Sequence, residues 1–324
     1  MRLRLILTAL VAAAGLAALA QASAAGGGAD AVPRFGHVFV IIGENTDYQH
    51  LTTTNAPYLL TAIRPSSAWF ENYYAATHWS QANYVALTSG QFTPCEQKDY
   101  GYACRDDVDN VFHQLDQAHM SWKVWLESGT AKCDTGSGGS CTSSDPCPLT
   151  GFYTSGNPPI DYTDISHGEC LANDIPAGTP QDGMATFNAN LASGSVADYN
   201  FVVPNGCDDG EAACKPVNDR HTQFDNFLAR EVPLIEASPA FGDNGVIFIT
   251  YDEDQRMGGL AAKNGLGSGG HTVGALISPL VQPGEYAATT YSYSVLRTIQ
   301  DGFGLGPYLG AAAQVDPLPP VVWK

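Results

Sequence analysis

The clearest pattern along the chain is a set of short apolar, β-branched runs, each ending where polar residues begin. Residues 36–43 (GHVFVIIG) form the first, and they give way at once to Glu44 and Asn45. Similar runs lie at 122–126, 199–203, 246–251 and 273–277. Continuous rather than alternating hydrophobicity marks strands covered on both faces. Between them apolar residues recur at helical spacing, at Val108, Val111, Phe112 and Leu115 and again at Phe224, Phe227, Leu228 and Val232. A further helix is predicted to open at Ser80 and end at Gly90. Strands alternating with amphipathic helices predict an α/β fold: a mostly parallel, doubly wound sheet with helices on both faces, in a single domain with disulfide-tied loops.

The amino-terminal segment is set apart from this pattern. Arg2 and Arg4 precede an apolar stretch over residues 5–20, followed by Ala22-Ser23-Ala24. This is the form of a secretory signal peptide, so residues 1–24 are expected to be removed and residues 25–324 to fold outside the cytoplasm. No later apolar run has membrane length, which predicts no stable membrane insertion. The formal net charge is -18, from 33 acidic and 15 basic residues. That balance argues against nucleic acid or an anionic membrane surface as a partner. It also means that an anionic substrate needs local positive charge, for which a bound cation is a direct source.

Eight cysteines in an exported chain read as disulfides. Close spacing pairs Cys95 with Cys104 and Cys207 with Cys214, leaving Cys133, Cys141, Cys147 and Cys170 to pair among themselves. The paired spacing of a structural zinc site is missing. Residues 132–148 lack any period and read as a disulfide-tied surface excursion. The glycine-rich stretch at 257–270 lacks the Gly-Lys-Ser/Thr ending of a phosphate-cradling loop.

Three short segments carry candidate chemistry. Glu44-Asn45 and Asp252-Glu253-Asp254 each follow a predicted strand, the end of a doubly wound sheet where functional groups gather. Hard oxygen ligands from separate strands suit a divalent cation, although either segment taken alone reads first as a solvated strand end or turn. The third is Ser80, at a predicted helix N-terminus where the dipole and free N–H groups favour an anion. Its hydroxyl reads as an N-cap or as a nucleophile facing a phosphate. It lacks the Gly-x-Ser-x-Gly setting of a carboxylic-ester hydrolase.

Taken together and in order, Glu44-Asn45, a Ser80-x-x-Asn83 helix running into Leu87-Thr88-Ser89-Gly90, and Thr250-Tyr251-Asp252-Glu253-Asp254 resemble the phosphoesterase family of bacterial and fungal acid phosphatases and phospholipases C, a branch of the alkaline phosphatase superfamily. Further matches are Trp122-Lys123 with Glu127 and Ser128, Asn157-Pro158, and Asp225 ahead of Phe227-Leu228. The resemblance implies an alkaline-phosphatase-like fold and a secreted, metal-dependent phosphomonoesterase working through a phosphoseryl intermediate on Ser80. It implies one divalent ion, calcium, magnesium, manganese or zinc, held by Glu44, Asn45, Asp252 and Glu253. Asn83, His271, Asn205 and Asp209 would face the phosphate of a small phosphorylated substrate or a phospholipid headgroup. A phospholipase C-type phosphodiesterase and a non-catalytic anion-binding relative are the alternatives, and the oligomeric state is left open. Three positions depart from the family pattern: Ala82 stands for a proline, and Gly156 and Glu211 stand where histidines are expected.

Overall fold

The computed structural model describes residues 32–92, 105–134, 156–179, 181–255 and 266–324. The predicted signal peptide, the Cys95–Cys104 pairing, and most of the 132–148 and 257–270 stretches lie outside these residues.

Eight strands form one sheet: β1 (Val38–Gly43), β2 (Ala68–Tyr74), β3 (Trp122–Leu126), β4 (Asp174–Pro176), β5 (Tyr199–Val203), β6 (Val246–Tyr251), β7 (His271–Ile277) and β8 (Gly284–Tyr291). Their order is β4-β3-β5-β1-β6-β7-β2-β8. All neighbouring pairs are parallel except those of β7, which runs antiparallel to both β6 and β2. The expected mostly parallel sheet is therefore present, with one reversed strand inside it. The five predicted runs become β1, β3, β5, β6 and β7, with small shifts at the starts of β1 and β7.

The burial of β1 on both sides shows why its run is continuous. Val38, Val40 and Ile42 pack into one apolar cluster, and Phe39 and Ile41 into another on the opposite face. The first cluster is closed by helices Ser80–Ser89, Val111–Gln117 and Ser292–Phe303, through Val85, Phe112 and Leu296 among others. The second is closed by helices Ala185–Ser193 and Arg220–Glu236, through Phe187, Phe224, Phe227 and Leu228. Burying two faces of a sheet in this way is the main source of stability for such a fold.

Local signals set the helix ends. Gly90 takes the left-handed conformation at φ 70° and stops the Ser80–Ser89 helix, as expected of a C-terminal glycine. Asp219 caps Arg220–Glu236 by accepting from the Thr222 N–H. Asn110 caps Val111–Gln117 by accepting from the His113 N–H, so Val108 lies ahead of that helix and not in it.

Among the described residues two disulfides tie the loops, Cys133–Cys170 and Cys207–Cys214. The second is the pair that close spacing predicts, and the first joins two of the four cysteines left over. Beside Cys133–Cys170, Asp174 is buried at the start of β4. It accepts from Asn157 Nδ2 at 2.8 Å, and its Oδ1 has no partner. Burial pushes its carboxyl up to about 7.

Because the folded chain binds that proton more tightly than the unfolded chain, Asp174 contributes stability below the ordinary aspartate pKa of about 4, and loses it as pH rises through 7. Asp174→Asn is expected to remove this slope. Thermal melts at pH 4, 5.5 and 7 should show the variant gaining on the wild type as pH rises; parallel curves would refute the assignment.

Candidate active site at the strand ends

β5, β1 and β6 are parallel neighbours, so the residues that follow them leave the sheet at one edge. Adjacent strands are about 4.8 Å apart, and acidic residues placed after three of them cannot avoid one another. Glu44 follows β1, Asp209 lies in the loop after β5, and Asp252 follows β6. Backbone bonds hold this edge together: Glu44 N–H donates to Asp209 O at 2.8 Å, Asp252 N–H to Gly43 O at 2.9 Å, and Thr46 N–H to Glu253 O at 2.9 Å.

Ser80 enters from β2, whose carboxyl end lies at the same edge. Its Oγ donates to Glu44 Oε2 at 2.7 Å, and Tyr84 Oη, one helical turn on, donates to Glu44 Oε1 at 2.8 Å. Both Glu44 oxygens are thus engaged by one helix end. Asn45 donates its backbone N–H to Asp252 Oδ1 at 2.8 Å and its amide Nδ2 to Glu44 Oε2 at 3.2 Å. Asp252 Oδ1 also accepts from the Glu253 N–H at 2.7 Å, whereas its buried Oδ2 has no partner. Glu253 turns to the segment before Ser80: His78 Nδ1 lies 2.6 Å from Oε2, and the Trp79 N–H donates to the same oxygen at 3.1 Å.

The electrostatics follow from burial and crowding. Desolvation, then the charges of Asp252, Asp209 and Glu211, push the Glu44 carboxyl well above the usual range, against the Ser80 hydrogen bond. Burial also raises Asp209, and burial followed by the charge of Glu253 pushes Asp252 up to about 8. Carboxyls that share a dry site resist being ionised together. The hydrogen bond that His78 donates to the Glu253 carboxylate raises the pKa of the histidine.

Backbone strain sits on both sides of this contact. Asn45 has φ 48° and Trp79 φ 76°, conformations that L residues rarely adopt. Such strain persists only where surrounding bonds over-determine it. Here Asn83 supplies them: its Oδ1 accepts from the Thr77 N–H at 3.0 Å and its Nδ2 donates to Thr77 O at 2.7 Å.

The structure gathers the four sequence-derived metal candidates and Ser80 at one place, together with Asp209. It also shows what the other candidates are bonded to. Asn83 braces the turn before Ser80. Asn205 caps its own loop, accepting from the Cys207 and Asp208 N–H groups at 3.0 and 3.1 Å, and donates to Ser128 Oγ at 3.2 Å. His271, at the start of β7, stacks on Tyr48 with ring centroids 4.5 Å apart, and its Nε2 lies 2.9 Å from Glu71 O. Burial lowers its pKa, so the ring is neutral at pH 7.

Three residues at the site escaped sequence reading: Tyr84, His78 and Glu211. The i to i+4 spacing from Ser80 was the available signal for Tyr84. Glu211 registers in sequence only as a missing histidine, yet its Oε2 accepts from Asn45 Nδ2 at 2.9 Å. Gly156, the other missing histidine, abuts Tyr84; a Cβ there would stand 3.2 Å from the ring. Glu127, a further family match, is scaffolding, since its Oε2 accepts from the Asn205 N–H at 2.9 Å and its Oε1 from Arg230 Nη2 at 3.1 Å.

A buried carboxylate oxygen without a donor, amid all-oxygen side chains that repel one another, fits a hard divalent cation. Among the described residues, a group of three ligand atoms within 4.8 Å of one another occurs elsewhere, at Asp109, His113 and Asp164, whereas Cys133 and Cys170 beside Asp174 are joined in a disulfide and offer no thiolate. The Glu44 cluster is looser than a closed coordination shell.

Comparison with known proteins covers Ser80, Asp252 and Glu253. The profile of the phosphoesterase family matches residues 52–306. The chain belongs to the phosphoesterase family. It is 25% identical over 226 residues to a probable acid phosphatase of Kluyveromyces lactis, a match covering 69% of this chain and 49% of that protein. The chain thus spans about half the length of that relative. It is 23% identical over 301 residues to a phosphatidylinositol-3-phosphatase of Mycobacterium tuberculosis, covering 90% of this chain and 84% of that one. In fold it is similar to an alkaline phosphatase superfamily protein from Vibrio parahaemolyticus, with TM-score 0.53, 11% identity and 86% and 70% of the two chains covered. Ps i-CgsB in complex with k-i-k-neocarrahexaose gives TM-score 0.54 at 13% identity, covering 88% and 75%. At these identities the structural likeness establishes the fold alone, and it is the alkaline-phosphatase-like fold that the motifs imply.

Tyr84→Phe removes the donor to Glu44 Oε1 and leaves a buried acceptor bare. We expect a loss of about 1–3 kcal/mol, read as a lower urea midpoint with an unchanged slope. A midpoint equal to wild type would show that the bond carries no weight.

Proposed function

We propose that this chain is an exported, metal-dependent phosphomonoesterase, with Ser80 as nucleophile and a divalent cation held by Glu44, Asn45, Asp252 and Glu253. The observation that carries this reading is the 2.7 Å bond from Ser80 Oγ to Glu44, made at a helix N-terminus inside a buried, self-repelling carboxylate cluster. An N-cap hydroxyl would instead face its own helix. Neither His271, neutral at pH 7, nor the acidic cluster offers positive charge to a phosphate. The positive groups beside the cluster, His78 and Arg220, are already bonded to Glu253 and to the Asn45 backbone carbonyl, and the remaining excess of carboxylates supports a cation in the site.

When bound, such a cation would offset the carboxylates, lower the pKa of the Ser80 hydroxyl and hold charge on the phosphoryl oxygens. The remaining work falls to the chain. Glu44 Oε2 holds the Ser80 proton and aims the hydroxyl. The helix dipole favours the phosphoryl group at its N-terminus. Attack forms the Oγ–P bond as the bond to the leaving alcohol breaks, and water then releases phosphate from the phosphoserine. Asn83 and Asn205 serve this reading as braces of the Ser80 turn and the 205–210 loop, and Asp209 as part of the acidic ring.

The two relatives are named for phosphatase activity, one of them on an inositol phospholipid, which supports monoester over diester hydrolysis and a phosphorylated headgroup or small ester as substrate. Among the described residues no helix is long and apolar enough to cross a membrane. The signal-peptide pattern and the two disulfides support export.

Ser80→Ala is expected to lower kcat/KM for an aryl phosphate at least about a thousandfold, and, because it also removes a buried donor to Glu44, to lower the urea midpoint about as far as Tyr84→Phe does, so that Tyr84→Phe is the stability control for the loss of turnover. Undiminished turnover would remove Ser80 from the chemistry. Chelation should abolish the wild-type activity and add-back restore it, with phosphomonoesters, diesters and choline phospholipids compared side by side.

Cation binding should also be proton-linked. Asp252, pushed up to about 8, carries a proton at neutral pH that a cation must displace. Affinity should therefore rise from pH 6 to pH 9, and calorimetry at pH 7 in two buffers of different ionisation enthalpy should report proton release. A pH-independent affinity would contradict the protonated cluster.

A further inference from the structure

We propose that Glu211 is a positioning residue that decides which end of the Asn45 amide faces the cation, an inference that rests on the metal-dependent reading above. Asparagine's oxygen and nitrogen have nearly the same shape, so the direction of the group is set by hydrogen bonding alone. Asn45 Nδ2 donates to Glu211 Oε2 at 2.9 Å and to Glu44 Oε2 at 3.2 Å. An amide nitrogen has two hydrogens, and both are used. The carbonyl oxygen is the end of the amide that neither acceptor engages, available as a ligand.

The rest of Asn45 cannot turn to compensate. Its backbone N–H is held by Asp252 Oδ1, its backbone carbonyl oxygen accepts from Arg220 Nη2, and its φ is pinned at 48°. Glu211 is equally fixed. It lies between the bridged cysteines Cys207 and Cys214, and its N–H donates to Asp209 Oδ1 at 2.7 Å. Gln223 laces the same loop, donating to Cys207 O at 2.6 Å and Ala212 O at 2.9 Å and accepting from the Cys214 N–H at 2.7 Å. The disulfide loop thereby becomes an arm that delivers one carboxylate oxygen to one amide. A glutamate here is a departure from the histidine of the family pattern, and it supplies an acceptor that needs no particular tautomer.

The test is calorimetric titration of Mn²⁺ into chelator-treated full-length protein, for wild type, Glu211→Gln, Glu211→Ala, Asn45→Asp and the Asn45→Asp/Glu211→Ala double variant. The glutamine amide oxygen still accepts from Asn45, so Glu211→Gln should keep Kd within about threefold. Glu211→Ala should weaken it by about tenfold or more, the usual scale for losing a group that orients a ligand. Asn45→Asp presents oxygens at both ends and needs no orienting, so adding Glu211→Ala to it should change Kd little.

Equal affinity in wild type and Glu211→Ala would overturn the proposal. So would a Glu211→Gln variant as weak as Glu211→Ala, since charge and not orientation would then be what matters. If Glu211→Ala does not fold, Glu211→Gln alone and in the Asn45→Asp background decides between the same two outcomes. Wild-type protein that binds no Mn²⁺, Mg²⁺, Ca²⁺ or Zn²⁺ would remove the metal-dependent reading itself, and this inference with it.

Discussion

Like charges brought together by parallel strands are the constraint from which the rest of the site follows. β5, β1 and β6 lie side by side and run the same way, so the loops after them share one edge. Glu44, Asp209 and Asp252 come from those loops and are all buried. Burial raises each carboxyl and proximity raises it further. A cluster of this kind is tolerable only with protons or a cation in it, and either state ties its chemistry to pH.

The neighbouring residues make sense as responses to that repulsion. Ser80, Tyr84 and Asn45 each direct a donor at Glu44, and Asn45 and Glu253 direct backbone N–H groups at Asp252. Placing those donors requires unusual backbone at Asn45 and Trp79, and the scaffold absorbs the strain through the Asn83 brace and the Asn205-capped loop. The rigid sheet and its two buried faces supply the stability from which such local strain is drawn. Trp79 is 40% exposed beside the buried Ser80, which puts an apolar surface next to the reacting hydroxyl.

The family histidines illustrate how a departure in sequence can be a rearrangement in space. Gly156 leaves its space against the Tyr84 ring. Glu211 gives up a histidine but supplies an acceptor to Asn45. A reading by position alone registers two losses, whereas the bonds register a different set of partners around the same two ligand candidates.

What the sequence determined by itself is what local patterning can report. The runs that became β1, β3, β5, β6 and β7 are apolar because both faces of the sheet are covered, and the Ser80 helix stops at a glycine because its last turn needs a left-handed residue. Glu44 and Asp252 stood out as acidic residues directly after such runs, and their order with Ser80 pointed to the family. β2 (AWFENYY) and β8 (GEYAATTY) did not stand out, since strands near and at the edge of the sheet face solvent in part and mix polar with apolar residues. The partners of the site were decided only by tertiary structure. Asn45 meets Glu211 across 166 positions and His78 meets Glu253 across 175. No periodicity encodes such pairings, because they depend on which strands lie side by side and on the one strand that runs the other way.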